Sequence, residues 1–295
     1  TVTVSHNKNS VNQLTGEKVQ LYLADMGVKG AGSSHKIGVG EPLGQFYGYI
    51  SDGLYQVSDF NYDKASGKDG IPYRGEKDKV QPGMLKFKNI DGSEDNKITE
   101  DDKTVIGNAF PKFYGGINNT FTYKDFDLSI FLTYSFGNDV LNATKLTNTR
   151  TALTNKNVLA AADWNHRWVT INKETGALIT DPEELAAANQ GKTIACFDDN
   201  GSSDNAVIHS WAVEDGSYLK LSNITLGYTF PKKIVNKIGL SKLRLYATGN
   251  NLLTWTKYTG YDPEVSVRNS ALTPGLDYSS YPRAYSISFG VSLGF

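Results

Sequence analysis

The last eleven residues of the chain constrain its fold more than any other stretch. Large apolar or aromatic residues occupy every odd position, and only serine or glycine occupies the even positions. The odd positions are Tyr285, Ile287, Phe289, Val291, Leu293 and Phe295. An extended chain would place them all on one face, and the length matches a tilted membrane-crossing strand of about 9–11 residues. The pattern predicts the closing strand of an outer-membrane β-barrel, and its alternative is a half-buried strand of a soluble all-β domain.

The composition suits a β-barrel and argues against several other classes. The chain of 295 residues has 30 basic and 31 acidic residues and a formal net charge of −1, so no global field would attract nucleic acid. Aromatic residues reach 12%, as expected for a barrel with aromatic girdles. No run of about 18 apolar residues could form a spanning helix. The single cysteine, Cys196, can form no internal disulfide, and no residue spacing indicates a zinc site.

Further alternating stretches predict five more strands. The clearest form a hairpin joined by a two-residue turn at Lys124–Asp125. Phe131 falls on the polar face of that hairpin, and a change of parity near Ser222 and Asn223 predicts a β-bulge or a change of environment there. The strand that contains Arg244 must turn its basic face towards a watery interior, because charge is costly in lipid. The predicted strands span residues 1–8, 113–123, 126–137, 217–230, 241–253 and 282–295.

The predicted connections are short at one end of the strands and long at the other. The short turns are 124–125 and 231–240, whereas the long connections are 9–112, 138–216 and 254–281. This asymmetry is typical of bacterial outer-membrane barrels, whose long loops are extracellular. Inside the long loops we predict strand segments at 45–55 and 84–88 and a short helix at 181–188. Six strands cannot close even a barrel of about eight, so we expect the rest of the wall to come from further sequence of the same protein or from other chains.

Three segments resemble the carboxy-terminal third of SusC-like TonB-dependent transporters of the RagA/SusC family. They are GEPLGQFYGY at 40–49, WAVEDGSYLKLSNITLGY at 211–228 and NNLLTWTKYTGYDPE at 250–264. The resemblance implies that residues 1–295 are the carboxy-terminal segment of a barrel of about 22 strands in the bacterial outer membrane. It also implies that the plug domain and the TonB-contacting segment belong to the family's amino-terminal part, which these residues do not match.

The function that the resemblance implies is active import driven by the TonB complex, with a SusD-like lipoprotein as partner. We expect oligosaccharides as substrates, with peptides as the alternative. A passive porin-like barrel is a second hypothesis. A third is a soluble, calcium-dependent carbohydrate-binding module, which would form a closed sheet from these residues alone. No nucleophile elbow or pair of catalytic carboxylates stands out, so we predict no enzyme activity.

The acidic segment 91–102 has the residue spacing of a calcium-binding loop. The predicted ligands are Asp91, Ser93, Asp95, the carbonyl of Lys97, Thr99 and Asp102. Asn96 replaces the usual glycine of such loops, and Asp102 replaces the usual glutamate. The alternative is a solvated acidic turn. A bound calcium ion would be structural, stiffening a long extracellular loop.

Aromatic residues in and beside the loops are candidates for stacking on sugar rings. The alternative is that they pack the loops together or belong to the interfacial girdle. The candidates are Trp164, Trp168, Trp211, Trp255, Tyr258 and Tyr261.

Overall fold

The fold consists mostly of β-strands, with short helices in the long connections. A computed structural model describes residues 1–16, 18–25, 32–60, 73–74, 81–93, 97–149, 157–196, 207–267 and 270–295. Its strands are β1 (Val2–Ser5), β2 (Gln20–Asp25), β3 (Ser33–Gly38), β4 (Gln45–Tyr49), β5 (Ser51–Leu54), β6 (Tyr73–Arg74), β7 (Leu85–Phe87), β8 (Lys97–Ile98), β9 (Lys103–Asn108), β10 (Phe113–Tyr123), β11 (Phe126–Phe136), β12 (Asp139–Asn142), β13 (Val213–Asp215), β14 (Tyr218–Thr229), β15 (Lys242–Thr256), β16 (Leu276–Asp277) and β17 (Ser286–Gly294). The α-helices are α1 (Ala143–Asn148), α2 (Pro182–Ala188) and α3 (Lys232–Val235). In the part of the chain that the structure describes, no helix is long and apolar enough to cross a membrane.

The largest sheet joins six strands in the order β1-β10-β11-β14-β15-β17, and every neighbouring pair is antiparallel. This is the chain order of the six strands predicted from sequence. The Lys124–Asp125 turn connects β10 to β11, with Tyr123 paired to Phe126. Lys124 has a φ of 53°, the positive value that two-residue hairpin turns require. Consecutive strands are thus neighbours, as in the wall of an up-and-down barrel.

The sheet has one apolar and one polar face, because side chains alternate along each strand. One row across five strands on the apolar face is Phe121, Leu128, Leu226, Ala247 and Phe289. The adjacent row on the polar face is Thr120, Ser129, Thr225, Thr248 and Ser288. Phe289 is 83% exposed and Phe121 57% exposed, so described residues leave the apolar face largely uncovered.

A β-bulge lies at Ser222, where the sequence predicted one. Leu221 pairs with Leu132 and Asn223 pairs with Phe131, so Ser222 is the extra residue of β14. The bulge returns Leu221 to the apolar face, which resolves the change of parity in the sequence. Phe131 lies on the polar face, where its ring covers Gly116.

The long connections fold together into one body that has its own hydrophobic core. We call this body the loop domain; it comprises the described residues of 9–112, 138–216 and 254–281. Strand β12 pairs with β13 in an antiparallel manner and with β16 in a parallel manner, which joins two of the three connections. The third connection contributes Phe46 to the core. The buried apolar residues of the core are Phe46, Leu141, Ala143, Leu146, Ile208, Ala212 and Leu276.

The secondary structure predicted inside the loops is also present. Strand β4 covers Gln45–Tyr49, and β5 pairs with β7 at Leu85–Phe87. Helix α2 begins after Asp181, whose Oδ1 accepts a hydrogen bond from the backbone N–H of Glu184 at 2.8 Å. Pro182 occupies the first turn of the helix. A backbone N–H in that turn has no acceptor within the helix, so a proline there costs no hydrogen bond.

Candidate functional site

The polar face of the sheet is a candidate solute-facing surface, and hydrogen bonds between strands order its side chains. Thr225 and Thr248 are joined through their hydroxyls at 2.9 Å. Asn223 Nδ2 donates to Asn250 Oδ1 at 2.8 Å, and Asn250 Nδ2 donates to Ser286 Oγ at 3.1 Å. Neutral hydroxyls and amides that both donate and accept hydrogen bonds can solvate an uncharged polar solute.

An ion pair crosses this face near the short turns. Arg244 Nη2 lies 2.5 Å from Asp127 Oδ2, and its Nε donates to Asp127 Oδ1 at 3.0 Å. The two residues belong to β15 and β11, so the arginine passes over Gly227 of the intervening β14. A Cβ atom on Gly227 would collide with both partners. Arg244 of β15 therefore lies on the polar side, where the sequence predicted the basic face of this strand, and it is paired there with Asp127.

A buried ion-pair cluster attaches the loop domain to the polar face near the long connections. Lys220 of β14 is 3% exposed, and its Nζ donates to Glu264 Oε2 at 2.5 Å. Tyr218 Oη donates to Glu264 Oε1 at 2.8 Å, and Arg283 Nη1 donates to Glu264 Oε2 at 3.0 Å. Burial opposes ionisation of Glu264, but the bonds from Lys220 and Tyr218 hold its pKa below the usual value. A charged residue in a strand thus fixes the position of a loop.

Aromatic residues and a buried histidine stabilise the interior of the loop domain. The rings of His209 and Trp211 are 5.9 Å apart and nearly parallel, and Lys145 Nζ lies 4.0 Å from the Trp211 ring centroid. His209 is fully buried, and its burial together with the nearby charge of Lys145 lowers its pKa to about 3. The imidazole is therefore neutral at physiological pH.

The six predicted aromatic candidates occupy three different environments. Trp168 and Tyr258 are buried; the former packs on Gly83, and the latter donates to Asp277 Oδ2 at 2.5 Å. Trp255 pairs with Leu219 on the apolar face, a position typical of interfacial aromatics.

The remaining three candidates belong to the loop domain, as Trp168 and Tyr258 do, but they are not fully buried. Trp211 is partly buried and packs on the core. Trp164 is half-buried with the cations of Arg167 and Lys192 near its ring. Tyr261 is 78% exposed. Tyr261 and Trp164 therefore offer ring surface to a ligand in this conformation, whereas packing accounts for Trp168, Trp211 and Tyr258.

The structure describes the predicted calcium loop except for residues 94–96. The predicted ligand Asp95, and Asn96 at the position of the usual glycine, therefore lie outside the described residues. The Asp102 carboxylate is fully buried and accepts hydrogen bonds from the backbone N–H groups of Ile90, Asp91 and Thr99. Asp91 Oδ1 accepts from the Ser93 N–H at 2.7 Å. The described residues contain no group of three or more His, Cys, Asp or Glu side chains placed to hold a metal ion.

The described part of this loop fits calcium only partially. Three of about four lone-pair positions on the Asp102 carboxylate already accept backbone N–H groups. Asp102 therefore closes the loop on itself without a metal. The sequence analysis did not predict this role, although a threonine followed three residues later by an acidic residue, as at Thr99 and Asp102, is the sequence signal of a capping box.

The chain is similar in sequence to curated TonB-dependent receptors. TonB-dependent receptor P3 of Formosa agariphila is 33% identical over 261 residues, which are 87% of this chain and 22% of that protein. TonB-dependent receptor P39 of the same organism is 27% identical over 99% of this chain and 28% of its own length. TonB-dependent receptor SusC of Bacteroides thetaiotaomicron is 25% identical over 99% of this chain and 24% of its own length. No protein-family model matches the chain.

Solved structures share the fold. The structure of the RagAB peptide transporter superposes with a TM-score of 0.60 at 18% identity, over 99% of this chain and 26% of that chain. The RagAB peptide importer in its open-open state gives a TM-score of 0.62 at 17% identity, over 100% of this chain and 26% of that chain.

The sheet, its two faces and these likenesses give the chain the fold class of the β-barrel wall of TonB-dependent receptors. The relatives are named TonB-dependent receptors, and one of them is SusC, so the resemblance seen in the sequence is confirmed. The chain spans about a quarter of the length of the curated relatives that it matches.

Proposed function

We propose that the chain forms the carboxy-terminal part of an outer-membrane, TonB-dependent importer of oligosaccharides that works with a SusD-like lipoprotein. The observation that supports this most directly is the exposed apolar face of the six-stranded sheet, opposite a face of hydroxyls, amides and paired charges. The apolar face contacts outer-membrane lipid, and the polar face lines the transport path. The remaining strands and the plug belong to the rest of the same protein.

The lengths of the strands support a membrane-crossing wall. Strands β10 and β11 have 11 residues each, β14 has 12 and β17 has 9, against about 9–11 needed to cross a bilayer at a tilt. A soluble carbohydrate-binding module would need the apolar face to be covered by a second layer. Phe289 is 83% exposed and Leu226 51% exposed, which disfavours that alternative.

The orientation follows from the connections. The two-residue turn after Tyr123 and the short helical connection around α3 lie at one end of the strands, and the loop domain lies at the other. Short periplasmic turns and long extracellular loops are the rule for outer-membrane barrels. We therefore assign the loop domain to the extracellular side, where a surface lipoprotein would meet it. The TonB complex would engage parts of the protein outside this chain.

Two candidate substrate classes remain. The polar face near the middle of the sheet carries hydroxyls and amides, which suit the hydroxyls of a sugar. Peptides are the second candidate, because solved structures of the same fold are described as a peptide transporter. A passive porin-like barrel would not require energy from the TonB complex, so dependence of uptake on that complex separates the porin from both importers.

Calcium binding at residues 91–102 remains part of the proposal. Asp91, Ser93, Thr99, the Lys97 carbonyl and Asp102 supply oxygen atoms of the type that calcium prefers, and Asp95 would complete the set. The ion would be structural and would brace the loop domain.

A growth experiment tests the proposed function. A strain that lacks the gene should lose growth on one oligosaccharide class while it keeps growth on the constituent monosaccharide and on peptides. Loss of growth on peptides alone would replace the oligosaccharide proposal with the peptide one. Uptake that persists without the TonB complex would favour the porin.

A further inference from the structure

The short connection between β14 and β15 is a folded turn that exposes two isoleucines. Helix α3 leads directly into a 3-10 turn at Asn236–Ile238, and Gly239 ends it with a φ of 76°. The Val235 side chain is fully buried, which fixes the side of the helix that packs on the protein. Ile234 is 53% exposed and Ile238 64% exposed, and residues four apart share one side of a helix. The described residues thus leave an apolar strip of the turn largely uncovered.

Three lysines in the same turn give it a strong positive charge, and their side chains are all exposed. They are Lys232, Lys233 and Lys237. The sequence between residues 216 and 261 contains no aspartate or glutamate, so nearby sequence offers them no carboxylate. The neighbouring two-residue turn holds Lys124 and Asp125, whose charges cancel. Because the whole chain has a net charge of −1, the charge of +3 at this turn is a local feature.

An aromatic belt on the apolar face shows where this turn lies relative to a bilayer. The ring centroids of Phe126 and Tyr228 are 4.7 Å apart, and those of Tyr228 and Phe230 are 4.9 Å apart. Aromatic girdles mark the boundary between hydrocarbon and headgroups in outer-membrane barrels. Pro231, the first residue of the connection, follows Phe230 directly. Since the headgroup layer is about 5–8 Å thick on each side, the connection begins at the level of the headgroups.

The chemistry of the turn matches a phospholipid surface. On a helical projection, Lys233 and Lys237 adjoin the isoleucine strip on the side away from Val235. Interfacial helices combine such an apolar side with flanking lysines, whose ammonium groups reach phosphate oxygens while their stems lie along apolar surface. A protein partner could also cover two isoleucines, but the strip continues directly from the belt on the apolar face, and this continuity favours lipid.

We propose that the 231–240 turn is a membrane-surface anchor. Ile234 and Ile238 enter the boundary between headgroups and acyl chains of the periplasmic leaflet, and Lys233 and Lys237 bind phospholipid phosphates. The inference rests on the proposed function, because only a membrane-spanning wall places the aromatic belt at a bilayer surface. The anchor sets the depth of this part of the wall in the bilayer and enriches anionic phospholipid beside β14 and β15.

Depth-dependent fluorescence quenching tests the apolar part of the anchor. The full-length transporter, without its native cysteines and reconstituted into bilayers, carries a fluorophore on Ile238→Cys. Phospholipids with a nitroxide at the headgroup should quench this label more than phospholipids with a nitroxide near the bilayer centre. A matched control is Leu178→Cys in the loop domain, where the native leucine is 65% exposed, and neither lipid should quench its label. A label on Phe289→Cys reports separately on the wall, and nitroxides on the acyl chains should quench it.

Lipid selectivity tests the basic part of the anchor. The measurement is the association of spin-labelled phosphatidylglycerol with the transporter, relative to spin-labelled phosphatidylcholine. This ratio should fall about twofold in Lys233→Gln/Lys237→Gln, because each lysine near a surface attracts anionic lipid. The control Lys88→Gln/Lys173→Gln removes two exposed lysines from the loop domain and should leave the ratio unchanged. All four side chains are exposed, so both double variants should fold, as the heat-modifiability of the barrel on gels will check.

The outcomes separate the anchor from the proposed function. A label at 238 that aqueous iodide quenches and lipid nitroxides do not, with the label at 289 quenched by lipid, would overturn the anchor and leave the import function standing. Absence of lipid quenching at both positions would overturn the membrane-spanning wall and the anchor with it. A label at 238 shielded from both iodide and lipid would show that a protein covers the turn, which contradicts the anchor. Lipid quenching at 238 with unchanged selectivity in Lys233→Gln/Lys237→Gln would overturn the role of the lysines alone.

Discussion

Arg244 and Asp127 meet across a strand that separates them, with Nη2 of the arginine 2.5 Å from Oδ2 of the aspartate. The contact is possible because the intervening residue on β14 is Gly227, whose missing side chain leaves room for the guanidinium. The guanidinium carbon also lies 5.1 Å from the ring centroid of Tyr246. The pair thus ties three strands of the wall together on the polar face.

Gly227→Ala should destabilise the barrel wall, because a Cβ atom there would displace the ion pair. We expect a loss of about 1 kcal/mol, the scale of a partly exposed charge-assisted pair, measured as a lower urea midpoint of the full-length protein. Asp127→Ala should cost a similar amount. The double variant Gly227→Ala/Asp127→Ala should cost less than the sum of the two, whereas strict additivity would show that the glycine does not serve the pair.

Lys220→Met should loosen the attachment of the last long connection to the sheet. The substitution leaves the half-buried Glu264 with fewer cationic partners, and breaking a buried pair costs about 3 kcal/mol or more. Limited proteolysis of the intact transporter should then cut within residues 257–284 faster. The companion variant Lys220→Met/Glu264→Gln should be cut more slowly than Lys220→Met alone. Equal cutting of wild type and Lys220→Met would refute the attachment.

The loop domain should lose stability as the pH falls below about 6.5. Burial, aided by the charge of Lys145, lowers the pKa of His209 to about 3, so the unfolded chain binds a proton that the folded chain does not. Stability therefore rises with pH between about 3 and 6.5 and is lost as the pH falls through that window, by about 2 kcal/mol at pH 5. Burial also lowers the pKa of His35, which adds a change of the same sign.

Hydrogen exchange of the loop domain at pH 5 and pH 8, corrected for intrinsic rates, measures this effect. His209→Phe should reduce the difference between the two pH values, and the residual difference should reflect His35. A pH response in His209→Phe equal to that of the wild type would exclude His209 as its source.

Asp102→Asn should destabilise the 91–102 loop whether or not calcium binds. The amide group would replace one acceptor oxygen by a donor that faces a backbone N–H, at a cost of about 1–3 kcal/mol. Asp91→Ala should instead abolish any rise in melting temperature that calcium produces. Calorimetry that detects no calcium binding to the intact transporter would remove the calcium proposal and leave the closing role of Asp102 unaffected.

The wall of the barrel could be predicted from sequence because its strands are long and alternate regularly. Even the bulge at Ser222 was visible, since Leu221 and Ile224 lie on opposite parities of a continuous strand. The Asp127–Arg244 pair was only half predictable: the pattern required an inward arginine, but not its partner two strands away.

The loop domain could not be predicted in the same way. Its strands β12, β13 and β16 are two to four residues long, too short to show a period. Its core joins Phe46, Leu141 and Leu276, which lie far apart in sequence, and no local signal encodes that contact.

Spin-label accessibility measures the direction in which the alternating side chains of β17 point. In the full-length transporter with Cys196→Ser, single cysteines replace Phe289 or Ser288 and carry a nitroxide, in native-like bilayers. A label at 289 should collide readily with oxygen dissolved in the lipid and poorly with a water-soluble nickel chelate, and a label at 288 should show the reverse. Equal accessibility at the two positions, or the opposite pattern, would contradict the assignment of the apolar face to lipid.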